Sequence, residues 1–373
     1  MSELIQMTAP CLMGLEGIVA GELRRMDAQN VAADNGRVFF EGDMNILARA
    51  NLRTRCAERI LIVVGRFTAL TFDQLFEGVK ALPWERWIGR NEAFPVKGSS
   101  VSSKLFSVSD CQSIIKKAVV ERLKATYHIP WFEETGAIHQ IQFHIMKDEA
   151  CIMLETSGAG LHKRGYRAHG VAAPIKETLA AAMVDLAIVK KDSIVYDPMC
   201  GSGTIVIEAA MKALGIAPGI SRSFQCEQWE CMDNACWREE RELARSLVRT
   251  DAAFEGFGFD IDEQCIATAQ ENAQKAGVGE YLTFRRADVK NFAPQGERGT
   301  VFCNPPYGER LLSEEEARAV CKTLGRVFPR KPGWSYSIIT PEEQFEQLFG
   351  RKADRRRKLY NGMIKCQLYS YYK

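Results

Sequence analysis

The 373-residue sequence lacks any stretch of about eighteen consecutive apolar residues, so no membrane-spanning helix is expected. Its start, MSELIQMTAPCLMGLEG, lacks a basic n-region and carries Glu3, which argues against a secretory signal. The five histidines form no His-Glu-x-x-His motif, and no two of the twelve cysteines form Cys-x-x-Cys, so no metal is implied. Cysteines without paired short spacings suit a reducing cytoplasm rather than a disulfide framework, and the expected location is cytoplasmic. A surplus of charge is missing too. With 49 basic and 47 acidic residues the net is +2, so a nucleic-acid partner can be argued only from local clusters. No internal repeat or low-complexity tract stands out. What remains is an ordinary soluble composition, 46% hydrophobic and 26% charged, on a chain long enough for two or three domains.

The first segment alternates. ELIQMTAP reads as a strand, LEGIVAGELRRM as a helix, VAADNGRVFFEG as a hairpin turning at Asn35-Gly36, MNILARANLRTRC as a helix and RILIVVGRF as a strand. That order, β-α-β-β-α-β, is the ferredoxin-like arrangement. Then TFDQLFEGVKALPWERWI reads as a helix ended near Pro83. SVSDCQSIIKKAVVERLKATY reads as a long helix capped by Ser109 or Asp110, and IQFHIMKDEACIMLE as a hairpin with Lys147-Asp148-Glu149 as its turn. TSGAGLHKRGYRAHGVAAP, rich in glycine and basic residues, reads as a linker. Beyond Pro174 helices alternate with short apolar strands, the pattern of a doubly wound α/β fold with a mostly parallel sheet.

VYDPMCGSGTIVIEAA sets Gly201 and Gly203 between a strand and a helix, where backbone can approach a ligand closely. A dinucleotide-binding turn would look similar. However, the third glycine of that fingerprint is absent, and Asp197 at the strand end would repel a pyrophosphate but hold an ammonium group. The next strand ends in Asp260, placed to accept from two ribose hydroxyls. It lies much farther along than the roughly 20 positions of a dinucleotide fold. The extra length is the insertion GIAPGISRSFQCEQWECMDNACW. A third strand ends FRRADV, putting Asp288 where a purine amino group could bind. Each acid alone could be a helix cap; three at successive strand ends describe the crevice at the carboxyl edge of an open α/β sheet.

These motifs, with FPVKGSSVSSKLFSVSDCQSIIKKAVVERL, GLHKRGYR, APIKETLAAAMV, FDID, NPPYGERL and GRKADRRRKLYNGMIKC, resemble the bacterial THUMP-domain class I S-adenosylmethionine-dependent RNA methyltransferases. That family includes the large-subunit rRNA guanine-N2 methylases. The resemblance implies a ferredoxin-like part at 1–56, a THUMP RNA-binding domain at 57–157, a linker at 158–169 and a methyltransferase domain at 170–373. It implies S-adenosylmethionine as cofactor, with Asp197, Gly201 and Gly203 around its methionine end and Cys200, Ser202 and Thr204 among the other residues that bind it. Asp260 would be at the ribose and Asp288 at the adenine, with Ile261 also among the cofactor-binding residues and Lys176, Glu177 and Thr178 closing over the whole. Asn304, Pro305, Pro306 and Tyr307 would be catalytic. Departures from the family's usual aromatics occur in the insertion, where Cys226, Cys231 and Cys236 stand five apart, a spacing that does not share one helical face.

The chemistry of that last motif can be reasoned from the residues. An exocyclic base amine is planar and a poor nucleophile. The Asn304 side-chain oxygen and the Pro305 carbonyl, its direction fixed by two prolines, could draw both N–H groups toward a tetrahedral geometry. Tyr307 would stack on the extruded base. Cys200 and Cys303 near the crevice would suggest carbon methylation if nucleophilic, but small buried cysteines read better beside an intact Asn-Pro-Pro-Tyr.

Three basic runs suggest a phosphate track: Lys97, Lys104, Lys116 and Lys117, then Lys163 and Arg164, then Arg355, Arg356, Arg357 and Lys358. The expected function is methylation of guanine N2 in 23S rRNA. Adenine N6 in RNA or DNA, a glutamine side-chain amide, and a non-catalytic RNA-binding assembly factor are the rivals.

Overall fold

The computed structural model describes residues 4–167, 175–307 and 313–372. In its first half β1 (Ile5–Pro10), α1 (Glu16–Arg24), β2 (Gln29–Asp34), β3 (Arg37–Gly42), α2 (Met44–Arg53) and β4 (Leu61–Thr68) follow the β-α-β-β-α-β order. The β2–β3 hairpin turns at Asn35-Gly36, with Gly36 at φ +70°. The sheet does not stop at β4. After α3 (Phe72–Lys80) come β5 (Val96–Val101), α4 (Val108–Tyr127), β6 (Ile141–Met146) and β7 (Glu149–Glu155), and β7 pairs antiparallel with β4 from Leu61↔Glu155 to Thr68↔Glu149. The result is one seven-stranded sheet, β2-β3-β1-β4-β7-β6-β5, in which β4 serves both parts.

Two local expectations need correction. The cap of α4 is Ser107, whose side chain accepts from the Asp110 amide, rather than Ser109 or Asp110; the helix starts two to three residues earlier, and Val108 already packs against the buried core. Glu149 belongs to β7, so the β6–β7 turn is only Lys147-Asp148, at φ +50° and +68°, the left-handed pair that suits a twisted two-residue hairpin.

The second half is also one sheet of seven strands. It contains β8 (Ile194–Asp197), β9 (Glu255–Asp260), β10 (Leu282–Arg286), β11 (Gly299–Cys303), β12 (Trp334–Thr340), β13 (Arg355–Asn361) and β14 (Ile364–Tyr371), in the order β10-β9-β8-β11-β12-β14-β13. The first five in that order run parallel, and the β13–β14 hairpin adds antiparallel strands at one edge. The helices α5 (Glu177–Leu186), α6 (Thr204–Leu214), α7 (Asn234–Ser246), α8 (Glu263–Lys275), α9 (Glu314–Val327) and α10 (Phe345–Phe349) alternate with them. Cover on both faces explains why β11 is a nearly unbroken apolar run. The chain winds from β8 outward through β9 to β10, then crosses back to β11 on the other side of β8. That reversal opens a crevice at the carboxyl ends of β8 and β11.

The insertion between α6 and α7 ties the halves together. Gly219 N–H donates to the Leu52 carbonyl at 2.9 Å, and the Arg222 guanidinium donates to the carbonyls of Ser157, Ala159, Gly160 and Lys163. Trp229 stacks on His139 with ring centres 4.2 Å apart and donates its indole N–H to the Ile138 carbonyl at 3.0 Å. Cys226 is buried there as a packing group, and the more exposed Cys231 donates its thiol to the Trp87 carbonyl at 3.5 Å. One cluster of buried side chains runs from Ile5 through Phe143 and Leu179 to Leu368. Among the described residues no helix is long and apolar enough to cross a membrane.

Candidate active site

β8 delivers Asp197 to the crevice, and the segment 198–203 turns the chain into α6. Gly201 sits at φ +52° and Gly203 at φ +78°, left-handed conformations that a side chain resists. They serve different ends. A Cβ on Gly203 would come within 3.0 Å of Ala269 and 3.1 Å of Phe284, so this glycine lets the loop lie against α8 and β10. A Cβ on Gly201 would meet nothing within 4 Å, so that side of the loop faces the crevice. The loop is pinned to the neighbouring strand twice: Cys200 N–H donates to the Phe259 carbonyl at 2.8 Å, and Gly201 N–H to Asp260 Oδ2 at 2.9 Å. Asp260 Oδ1 also accepts from the Asp262 amide at 3.0 Å. Asp260 therefore holds the glycine loop in place, a role the sequence did not reveal, and keeps further lone pairs for a ligand.

Asp197 is 1% exposed, and within the described residues its carboxylate accepts only from the Met199 amide, at 3.2 Å. Burial pushes its carboxyl up to about 8, with the Asp260 charge adding to the effect. A carboxylate held in a dry pocket without a cation is costly, and an arriving ammonium group offsets that cost. The same burial, with Asp197 and Asp260 nearby, pushes the Cys200 thiol well up, and burial with Asp197 does so for Cys303. Neither is a poised thiolate nucleophile.

Ile261 follows Asp260 with its side chain 62% exposed, an apolar surface at the strand tip. Asp288 caps the short turn Val289–Asn291 through a 2.9 Å bond from the Lys290 amide and lines a cavity of about 340 Å³ with Phe259, Phe292 and Pro198. Flat apolar walls beside an acceptor carboxylate suit a purine with an amino group. Ser202 is buried with its carbonyl bonded to Asn272, and Thr204 accepts from Arg167 at 3.2 Å.

The start of α5 is held by two residues that sequence reasoning did not place in the site. Glu58 accepts from Thr178 Oγ1 at 2.6 Å and from Lys176 Nζ at 3.4 Å. Burial works against the Glu58 charge, but hydrogen bonds from His162 and Thr178 and the Lys176 charge outweigh it, and its carboxyl falls to about 2. Arg167 Nε donates to Glu177 Oε1 at 3.0 Å. Nothing local in CAERILIV marks Glu58, since its partners lie more than a hundred residues away.

Asn304, Pro305, Pro306 and Tyr307 follow β11, which pairs with β8 at Val301↔Tyr196. Asn304 and Asp197 thus lie at the ends of adjacent strands, about 5 Å apart in the pairing direction. The Tyr307 hydroxyl donates to Asn304 Oδ1, and the Cys366 thiol on β14 donates to Tyr307 Oη at 3.9 Å. Burial first, and then the Cys366 charge, pushes the Tyr307 phenol far up, so it stays a proton donor. The remainder of NPPYGERL, residues 308–311, lies outside the described residues, as do 312 and residues 168 and 169 of the linker.

The basic track is thinner than the sequence suggested. Arg164 is 4% exposed, bonded to Glu208 Oε1 at 3.2 Å and to the carbonyls of Leu161 and Arg55, so it supports the core and is not an RNA contact. Lys116 is likewise engaged, by Glu134, by the Phe94 carbonyl at 3.2 Å and by the Phe94 ring at 3.5 Å. Arg357 donates to the Gly14 carbonyl at 2.7 Å, and Arg356 pairs with Glu346 at 3.3 Å. Lys97, Lys104, Lys117, Lys163, Arg355 and Lys358 remain exposed.

Comparison with known proteins gives a consistent neighbourhood. Residues 164–370 match the family described as RMKL-like, methyltransferase domain; residues 6–61 match the RlmL ferredoxin-like domain, and 69–155 the THUMP domain. YpsC of Bacillus subtilis, provisionally named an RNA methyltransferase, is 45% identical over 98% of this chain and 94% of its own. Ribosomal RNA large subunit methyltransferase K/L of Psychromonas ingrahamii is 34% identical over 97% of this chain, which spans 49% of that enzyme. Among solved structures, a predicted N6-adenine-specific DNA methylase from Listeria monocytogenes has TM-score 0.94 at 46% identity, covering 99% of this chain and 96% of its own. SMU.472, in complex with S-adenosylhomocysteine (SAH), has TM-score 0.93 at 40% identity, covering 100% and 99%.

Proposed function

We propose guanine N2 of large-subunit ribosomal RNA as the methyl acceptor of this chain, which belongs to the RMKL-like family of S-adenosylmethionine-dependent RNA methyltransferases. When bound, the cofactor supplies an electrophilic methyl group on its sulfonium sulfur. The protein's part is binding and orientation. Asp197 would take the ammonium end, Asp260 the ribose hydroxyls, and Asp288 with Ile261 the adenine. The Asn304 oxygen and the Pro305 carbonyl would receive the two N–H groups of the base amine and turn its lone pair toward the cofactor pocket. The Tyr307 hydroxyl uses one lone pair of Asn304 Oδ1, and the incoming amine would use the second. The Tyr307 ring would face the base. No strong general base is required, since the amine becomes acidic as it gains the methyl group.

The observation that carries this reading is the adjacency of Asn304 and Asp197 at the ends of paired strands: an acceptor able to orient an amine would lie beside a buried carboxylate able to take a cationic amino-acid end. Support for RNA comes from the THUMP match, and for guanine N2 of ribosomal RNA from the K/L resemblance. Adenine N6 is the second reading, favoured by the description of the Listeria neighbour. Mass analysis of nucleosides from ribosomal RNA of a strain lacking the protein separates them. Loss of an N2-methylguanosine is expected, loss of N6-methyladenosine would transfer the assignment to adenine, and an unchanged profile would refute both.

A further inference from the structure

A cavity of about 880 Å³ opens between the ferredoxin-like part and the catalytic domain, at the end of the molecule away from the crevice. The glycine loop is at the N-terminal end of α6, whereas Lys212 and Gly215 at its C-terminal end line this cavity. Eleven helical residues put the two sites roughly 16 Å apart. The volume is within the range of small-ligand clefts.

Its walls carry more positive charge than the protein neutralises. Lys212 pairs with Asp185 at 2.8 Å and Lys191 with Asp251. The third acid, Glu22, accepts from the Arg55 and Cys56 amides, and burial raises its carboxyl, so it offsets little charge. Two further cations close the end of α6, where Arg55 Nη2 donates to the Met211 and Ile216 carbonyls and Arg249 Nη1 donates to the Ala213 carbonyl. Closing that helix end does not account for Arg25, Arg53 and Lys190, which line the same cavity and whose side chains make no hydrogen bond or ion pair among the described residues. Arg55 Nη1 is buried with no acceptor among those residues, and burial and the neighbouring Arg49 guanidinium both work against the charge on Arg53. Cations crowded in this way, from α1, α2 and the end of α5, are what a multivalent anion would satisfy.

We propose that this cavity is a second binding site, for phosphate groups, remote from methyl transfer. The phosphates could be those of an RNA backbone or of a small free polyphosphate, and the two sources differ in the test. Arg25 and Arg53 contact nothing in the crevice, so the double variant R25Q/R53Q should bind SAH as the full-length wild type does. The probe is sodium tripolyphosphate, titrated calorimetrically into the full chain. Wild type should bind it, R25Q/R53Q should bind about tenfold more weakly or worse, and K190Q alone, which keeps both arginines, should weaken it about threefold. If RNA supplies the phosphates, R25Q/R53Q should also lower RNA affinity and make its log–log salt dependence shallower by about 1.4, for two single-strand contacts. If a free polyphosphate is the occupant, R25Q/R53Q will bind RNA as wild type does while its tripolyphosphate binding is weakened about tenfold or more. Absence of tripolyphosphate binding by wild type, or equal binding by wild type and both variants, would overturn the proposal.

Discussion

The buried Asp197 carboxyl gives a quantitative prediction for cofactor binding. Its ordinary value of 3.8 rises to about 8 in the folded chain. At pH 7 about ten of every eleven molecules therefore carry a protonated Asp197. An ammonium group arriving beside it favours the carboxylate, so the proton leaves as the ligand binds. SAH has the same ammonium end as the cofactor and no reactive methyl, which makes it the proper ligand. Binding at pH 7 should release about 0.9 proton, measured as the dependence of calorimetric enthalpy on the ionisation enthalpy of the buffer. Apparent affinity should rise about tenfold from pH 6 to pH 7 and level off above about 8. The penalty at pH 6 is about 100-fold, or about 2.7 kcal/mol. The sign for stability of the free protein is the reverse. A raised carboxyl binds its proton more tightly in the folded chain, so its favourable contribution is complete below about pH 4 and is lost as pH rises through 8. Asp197→Asn should accordingly raise the melting temperature of the free protein at pH 8 more than at pH 4, while abolishing proton release and weakening SAH. Binding that is flat from pH 6 to 8, with no buffer dependence, would refute an ammonium site at Asp197.

Other expectations follow from the same geometry. Asp260→Ala should weaken SAH by ~1–3 kcal/mol in calorimetry and also loosen the glycine loop, read as faster amide exchange at Gly201, because that amide loses its acceptor. Asn304→Ala should lower turnover ~10²–10⁴-fold with SAH affinity unchanged; near-normal turnover would mean that something else orients the amine. Tyr307→Phe keeps the ring and frees Asn304 Oδ1, so it should retain turnover within about threefold, whereas Tyr307→Ala should lose much more through KM. Glu208→Ala leaves the buried Arg164 guanidinium without its carboxylate and should cost about 3–5 kcal/mol in urea unfolding; a loss below about 1 kcal/mol would contradict a buried pair.

Much of the architecture was legible because it rests on local signals. The 2.0 and 3.6 periodicities, the Asn35-Gly36 turn and the strand-glycine-helix passage at 194–214 each specify their own neighbourhood. So do the acids at strand ends, since a residue following a parallel strand in a doubly wound sheet lands at the crevice wherever the helices lie. What could not be read depends on partners distant in sequence. Arg164 and Lys116 look like solvent-facing cations until Glu208 and Glu134 arrive from other elements. Glu58 looks like an ordinary surface acid until α5 packs on it. The pairing of β4 with β7, which merges two segments into one sheet, is a contact across some ninety residues that no window of sequence reports. Arg25 and Arg53 gave no signal for the same reason, since each reads as a normal basic residue at the end of a helix.

The most direct measurement is transfer of tritium from labelled S-adenosylmethionine onto unmodified 23S rRNA by the full chain, followed by nucleoside chromatography. Label should run with N2-methylguanosine for wild type and disappear for Asn304→Ala. Label running with N6-methyladenosine, or equal incorporation by wild type and Asn304→Ala, would contradict the account.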